Sequence, residues 1–271
     1  MALTTIGLMA LLGCFTGFMA GLLGIGGGMI ITPFLIMLIP SSLIPHNHIV
    51  HVAIATSLAT IAFTSLSSVR AHHKRGAVLW NVVASVAPGI LVGAVVGAQI
   101  AGWLPTFWLS LIFAAFVGFS AFKMFLNKSP RPDRNLPGTM GKFFMGIAIG
   151  ILSALVGAGG GFISVPWMVW CNVKMQNAVA TSAAFGFPIA LFGTIGYIIS
   201  GWNVSGLPPW PIDLGYICIP ALFSVAITSV LFAPLGAKVA HSIDTKPLKK
   251  IFACLLCFVC LYMIRQAYLA M

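Results

Sequence analysis

Apolar stretches of about 20 residues, the length a helix needs to cross the hydrocarbon of a bilayer, recur along this chain from end to end. Every other inference is bound by that pattern, because such stretches are stable only where lipid replaces water around them. Composition agrees: 60% of the 271 residues are hydrophobic and 6% are charged, against roughly 25% charged in a soluble domain. The chain reads as an all-α integral membrane protein with no room for a separate soluble domain. Its first apolar stretch lacks the basic start and small-residue cleavage pattern of a signal peptide, so it is expected to remain in place.

The 14 Lys and Arg against 3 acidic residues leave a formal net charge of +11. They lie mainly in three clusters between apolar runs, at residues 70–75, 123–142 and 238–250. No aromatic interleaving accompanies them, which speaks against a nucleic-acid partner. Short cytoplasmic loops collect Lys and Arg, so the clusters report topology. Cys254, Cys257 and Cys260 follow one helix face within the last apolar run and read as small hydrophobes rather than a metal or redox site.

The chain repeats itself. "GFMAGLLGIGGGMIITPFLIML" at 17–38 returns as "GILSALVGAGGGFISVPWMVWC" at 150–171, aligning Gly26, Gly27 and Gly28 with Gly159, Gly160 and Gly161, and Pro33 with Pro166. Downstream, "ATSL" at 55–58 pairs with "ATSA" at 180–183, and "VGAQIA" at 96–101 with "LGAKVA" at 235–240. Two homologous transmembrane repeats, 1–126 and 141–271, are therefore expected on either side of a cytoplasmic linker, 127–140, whose prolines and charges cannot sit in lipid.

Hydropathy and helix breakers place helices near 3–23, 28–39, 48–69, 78–101 and 106–126, then 141–157, 161–172, 176–200, 214–237 and 248–269. The segments after the glycine runs are short: twelve residues rise about 18 Å against a core near 30 Å. If the glycine segment turns back as a re-entrant hairpin, each half crosses three times and the halves are inverted. Nearly all basic loops then face one side, with Arg265 dissenting, whereas parallel halves would split them. The expected architecture is two inverted repeats, each a glycine-broken re-entrant or discontinuous helix plus three spanning helices.

Glycines tolerate positive φ, so both runs can turn the backbone and let successive N–H groups converge. Each run opens a short helix whose first N–H groups lack an intrahelical partner and whose dipole favours an anion. Close helix packing is the plainer use of small residues. It does not require a break followed by proline in both halves, so Pro33 and Pro166 are expected to be structural helix breaks beside a substrate site.

The doubled glycine motif, the "ATS" after each copy, and "HHKRGAVLW" at 72–80 leading into "APGILVGAVVGAQIA" resemble the TauE/SafE family of sulfite exporters and related permeases. That resemblance implies a bacterial plasma-membrane transporter for a small anion, often a sulfur oxyanion or organosulfonate, with neither cargo nor direction fixed. It carries to Gly26, Gly27, Gly28, Gly159, Gly160, Gly161, Thr56, Ser57, Thr181 and Ser182 as substrate-binding candidates. The two hydroxyl pairs could donate to an oxyanion without burying a second full charge, or bond back to their own helix carbonyls.

His46, His48 and His51 sit at a loop-to-helix boundary, and His72 and His73 beside Lys74. A metal-dependent membrane enzyme needs a richer ligand set; it and a passive anion channel stand as alternatives. No metal or other cofactor is expected. With no Glu and with Asp133, Asp213 and Asp244 all in or beside loops, a carboxylate relay within the membrane is not expected either. The expected partners are a small-molecule anion and the lipid bilayer; self-association is left open. Substrate is expected to move by alternating access between the halves.

Overall fold

A computed structural model describes the chain except for residues 1–2, 24–26, 41–42, 127–134, 205–206, 209–211, 241, 243–245 and 271. Most of the linker between the repeats thus lies outside the described residues. Ten α-helices are present among those described: α1 (Leu3–Leu23), α2 (Gly28–Leu38), α3 (Ile49–His73), α4 (Trp80–Trp103), α5 (Thr106–Leu126), α6 (Thr139–Val156), α7 (Gly161–Trp170), α8 (Met175–Gly201), α9 (Ile219–Ala240) and α10 (Lys246–Leu269). A two-residue strand pair, β1 (Asp213–Leu214) and β2 (Ile217–Cys218), precedes α9.

The helix ends follow local chemistry. Gly157 takes left-handed φ/ψ of 63° and 35° and closes α6, the conformation glycine adopts most cheaply at a C-terminus. Pro105 opens α5, its carbonyl accepting the Leu109 N–H at 3.2 Å. The expected start of α9 at 214 is corrected to Ile219: Gly215, at φ 59°, folds residues 213–218 into a hairpin that a helix cannot include.

Eight helices are long and apolar enough to span a membrane, and α2 and α7 are the short ones. Among the described residues each half therefore holds four long helices and one short one, at the positions that hydropathy and breakers gave. α1, like its counterpart α6, runs unbroken up to its glycine turn. Its internal glycines are covered by a neighbour instead of breaking it. A Cβ built on Gly13 would strike Val225 and Thr228, on Gly17 Ser229, and on Gly21 Ala233, while one on Gly236 would strike Phe18. The rising numbers show that α1 and α9 lie side by side in the same direction. In the same manner α4 packs on α6: Gly89 against Phe143, Gly93 against Ile147, Gly97 against Ile151, and Gly150 against Ile90. Close backbone approach of this kind is what small residues permit in lipid, where no hydrophobic force drives helices together.

At the centre α3 and α8 cross antiparallel, with Gly186 beside Ser65 and Ile61, and Gly193 beside Leu58. Thr64 Oγ1 meets Ser229 Oγ at 2.6 Å, and Ser67 Oγ donates to the Val230 carbonyl at 2.8 Å, so α3 runs parallel to α9. Helix for helix the packing repeats when the halves are exchanged: α1 on α9 matches α6 on α4, and α3 on α9 matches α8 on α4. α5 packs on α10, and their outer faces present Trp108, Phe119, Phe122, Phe258 and Leu261, apolar surface suited to lipid.

Candidate functional site

Gly27 and Gly160 adopt nearly the same left-handed conformation, φ 71°, ψ −12° and φ 76°, ψ −7°. Each stands immediately before a short helix and is buried. Gly26 lies outside the described residues. Pro33 and Pro166 do not make the breaks: each lies inside its helix, α2 or α7. The physical reason is that the direction change needs positive φ, which proline, locked near −65°, cannot supply. Five residues into the helix, proline's missing N–H costs only a local hydrogen bond.

The Gly27 carbonyl accepts the Ile30 and Ile31 N–H groups, and the Gly160 carbonyl those of Ile163 and Ser164. The earlier N–H groups of each short helix have no intrahelical acceptor. The first residue of α2 packs in the protein interior against Gly157, which closes α6 ahead of the turn into α7. A Cβ on Gly28 would overlap the Gly157 carbonyl oxygen and press on Ile61, and one on Gly186 would reach within 3.9 Å of the Gly159 carbonyl. The α3–α8 crossing thus floors both glycine turns. Gly161, the first residue of α7, is buried with them.

The four hydroxyl residues singled out from sequence are all fully buried, and each has a visible structural bond. Ser57 Oγ donates toward the Gly157 carbonyl at 3.1 Å and the Gly28 carbonyl at 3.5 Å, tying one glycine turn to the other. Ser182 Oγ receives a bond from Ser164 Oγ of α7 at 2.8 Å. Thr56 Oγ1 accepts the Cys218 backbone N–H at 3.0 Å, and Thr181 Oγ1 accepts that of Leu79 at 3.0 Å. Both threonines therefore anchor, from one half, the segment that enters a helix of the other half.

That pairing exposes an unnoticed stretch of the repeat. Gly215 stands to Gly76 as Lys238 stands to Gln99, and both glycines have positive φ, 59° and 64°. The symmetry reaches individual bonds: His72 Nε2 lies 3.2 Å from the Gly21 carbonyl, and Tyr197 Oη donates to the Ala154 carbonyl at 3.1 Å. The "GAVLW" and "GYICI" copies share only their glycine as a sequence signal.

Two hydroxyls missed by sequence reasoning complete the site. Thr32 and Ser153 are fully buried, and neither oxygen has a hydrogen-bond partner. Thr32 Oγ1 lies 3.0 Å from where a Gly157 Cβ would stand, and Ser153 Oγ 3.1 Å from that of Gly160. Buried polar atoms without partners are costly, and these two lie beside the two glycine turns. Lys238 is exposed near the end of α9, away from these turns. Cys254 and Cys257 are exposed, and Cys260 Sγ donates to the Ala114 carbonyl at 3.3 Å.

Ten apolar helices in two like halves, closed around a buried pair of helix-opening turns, define a multi-pass membrane transporter. The chain belongs to the sulfite exporter TauE/SafE family, whose model matches residues 9–263. It is 34% identical over 261 residues to a probable membrane transporter protein of Haemophilus influenzae, covering 96% of this chain and 98% of that one. A probable membrane transporter protein of Methanocaldococcus jannaschii, MJ0441, is 27% identical across 95% of this chain and 94% of its own. YdhB of Bacillus subtilis, likewise a probable membrane transporter protein, is 29% identical over 69% of this chain and 76% of its own. No solved structure matches.

Proposed function

We propose that this protein is a secondary transporter that moves a small sulfur oxyanion, such as sulfite or an organosulfonate, across the plasma membrane by alternating access between two inverted halves. The observation that carries the reading is the burial of both glycine turns in the core, the start of α2 packed against the turn that leads into α7, beside the unpartnered hydroxyls of Thr32 and Ser153. The N-terminal dipoles of α2 and α7 favour an anion, and their first N–H groups, which lack an intrahelical acceptor, can supply donors. A tetrahedral or pyramidal oxyanion offers several acceptor oxygens for such donors. The sulfur class is favoured by the family description.

Inversion is supported by helix direction. Because α1 and α3 both run parallel to α9, the chain must return between them. It does so through α2, whose 11 residues rise about 16 Å, and the segment 39–48. Each half then makes an odd number of passages, so the second enters from the opposite side. Arg70 and Arg75, Lys123, Lys142, Lys174 and Lys238 all fall at one end of the bundle on this path, the end assigned to the cytoplasm.

A thermal-shift screen of purified protein with sulfite, sulfate, thiosulfate, small sulfonates and carboxylates tests the substrate class. A ligand of the folded state present at a hundred times its Kd adds about 2.7 kcal/mol. At least one sulfur oxyanion should raise Tm, with carboxylates weaker. A flat response to every anion would overturn the reading, and single-channel currents would replace the carrier with a channel.

A further inference from the structure

The 213–218 hairpin carries a group that the anion site does not use. It dips from the end of α8 toward the side of α3, where Cys218 N–H bonds Thr56. Asp213 is 4% exposed, and apart from the thiol of Cys218 its carboxylate oxygens have no hydrogen-bond partner among the described residues. Sequence reading left this residue in a loop; the structure buries it. Among the described residues the facing groups are few. Its strand partner Cys218 presents a thiol toward it. On the α3 side, His48 and His51 pack on Tyr216 at ring separations of 6.0 and 5.2 Å, and Tyr197 of α8 packs on the same ring at 6.3 Å. The first turn of α9 brings no charged residue. The matching position before Gly76, in the other half, is Lys74, which is exposed. Only one of the two related segments buries an acid.

We propose that Asp213 is a proton-binding site and that protonation latches this hairpin in its buried place over the outer end of α3, while ionisation releases it. A carboxylate faced by a single weak thiol donor in otherwise apolar surroundings is expensive, whereas a neutral carboxyl is not. Two like segments, each held by a threonine of the opposite half, are the natural straps of a two-sided carrier, and a titrating acid on one of them makes the cycle sensitive to protons.

Burial pushes the Asp213 carboxyl up to about 6, from about 4 for an ordinary Asp. Burial pushes the Cys218 thiol up to about 12 and the His48 imidazole down, so both are neutral near pH 7. An acid whose pKa is raised in the buried position binds its proton more tightly there. The latch is therefore fully stable below about pH 4, weakens as pH rises from about 4 to about 6, and stays weakened above. The greatest change in its opening constant is about a hundredfold.

What the strap gates rests on the alternating-access reading; its titration does not. The test is hydrogen–deuterium exchange of the full chain in lipid nanodiscs at pH 4.5 and 7.5, corrected for intrinsic rates, with no anion added. Opening of peptides covering 212–219 should rise by more than about tenfold at the higher pH in the natural protein. Asp213→Asn should abolish that rise, with Asp213→Ser as the second removal should the amide variant fail to fold, and Asp213→Glu should retain it. A strap whose protection ignores pH, or whose pH dependence survives loss of the carboxyl, would overturn the proposal. Should no sulfur oxyanion stabilise the protein while the strap still titrates, the anion reading falls and this one stands.

Discussion

Gly27 and Gly160 combine a left-handed backbone with close neighbours on the Cβ side. Left-handed φ costs an L-residue about 1–2 kcal/mol. A Cβ would also meet the Thr16 carbonyl at 2.9 Å in one case, and Ile189 and Ser153 at 2.6 and 3.1 Å in the other. Gly27→Val and Gly160→Val should lose anion-induced stabilisation and transport even where the protein inserts. A double variant that still transports sulfite at the normal rate would reduce the turns to packing. The threonines behave differently from what their sequence suggests. They are hydroxyls by type, but in place Thr56 and Thr181 act as acceptors for Cys218 and Leu79 N–H groups. Thr56→Val or Thr181→Val leaves a buried donor unsatisfied, at about 1–3 kcal/mol, and should lower Tm in both cases; unchanged melting would mean that water or a carbonyl replaces the hydroxyl. Nothing in "ATS" announces which distant N–H it will receive.

Helices and their pairings show what glycine periodicity hides. In α1 the residues Gly13, Gly17 and Gly21 are among the poorest helix formers of the stretch. Against the backbone of α9 they are contact points instead. Gly17→Ile would drive a branched side chain into Ser229 of α9, whereas Gly7 on the same helix has nothing within 4 Å of its Cβ position. Melting curves should separate the two: Gly17→Ile should lose more than the about 1–3 kcal/mol typical of overpacking, while Gly7→Ile stays close to the natural protein. The boundaries of α1 through α8 were largely readable because breakers and hydropathy act locally. The start of α9 was not, since Tyr216, Ile217 and Cys218 are apolar enough for a helix and are held as a hairpin only by what they pack against.

At the scale of the whole molecule, the direction of each helix decides which loops share a side. Cysteines placed at His46 and Asn203 should react with an impermeant thiol reagent from outside intact cells, and those at Lys74, Thr139 and Ser242 should react only after the membrane is opened. All five sites are exposed, and the native cysteines are replaced beforehand. Outside labelling at Ser242 with Thr139 protected would put the halves parallel and remove the basis for two-sided access.

Composition and periodicity alone established a helical membrane protein, its duplication, the short helices after each glycine run and the family those motifs resemble. These are legible because lipid burial and backbone freedom are properties of the residues themselves. Tertiary structure alone decided that α1 lies along α9 on its glycines, that Ser57 ties the two turns together, that Thr32 and Ser153 are left without partners, and that Asp213 is buried. Each depends on a neighbour far away in the chain: Val225 and Ser229 for α1, Gly157 for Ser57, the α3 side for the hairpin that carries Asp213. A carboxyl in a loop and a carboxyl in a core are the same letter in a sequence. What separates them is the solvent that the rest of the fold removes.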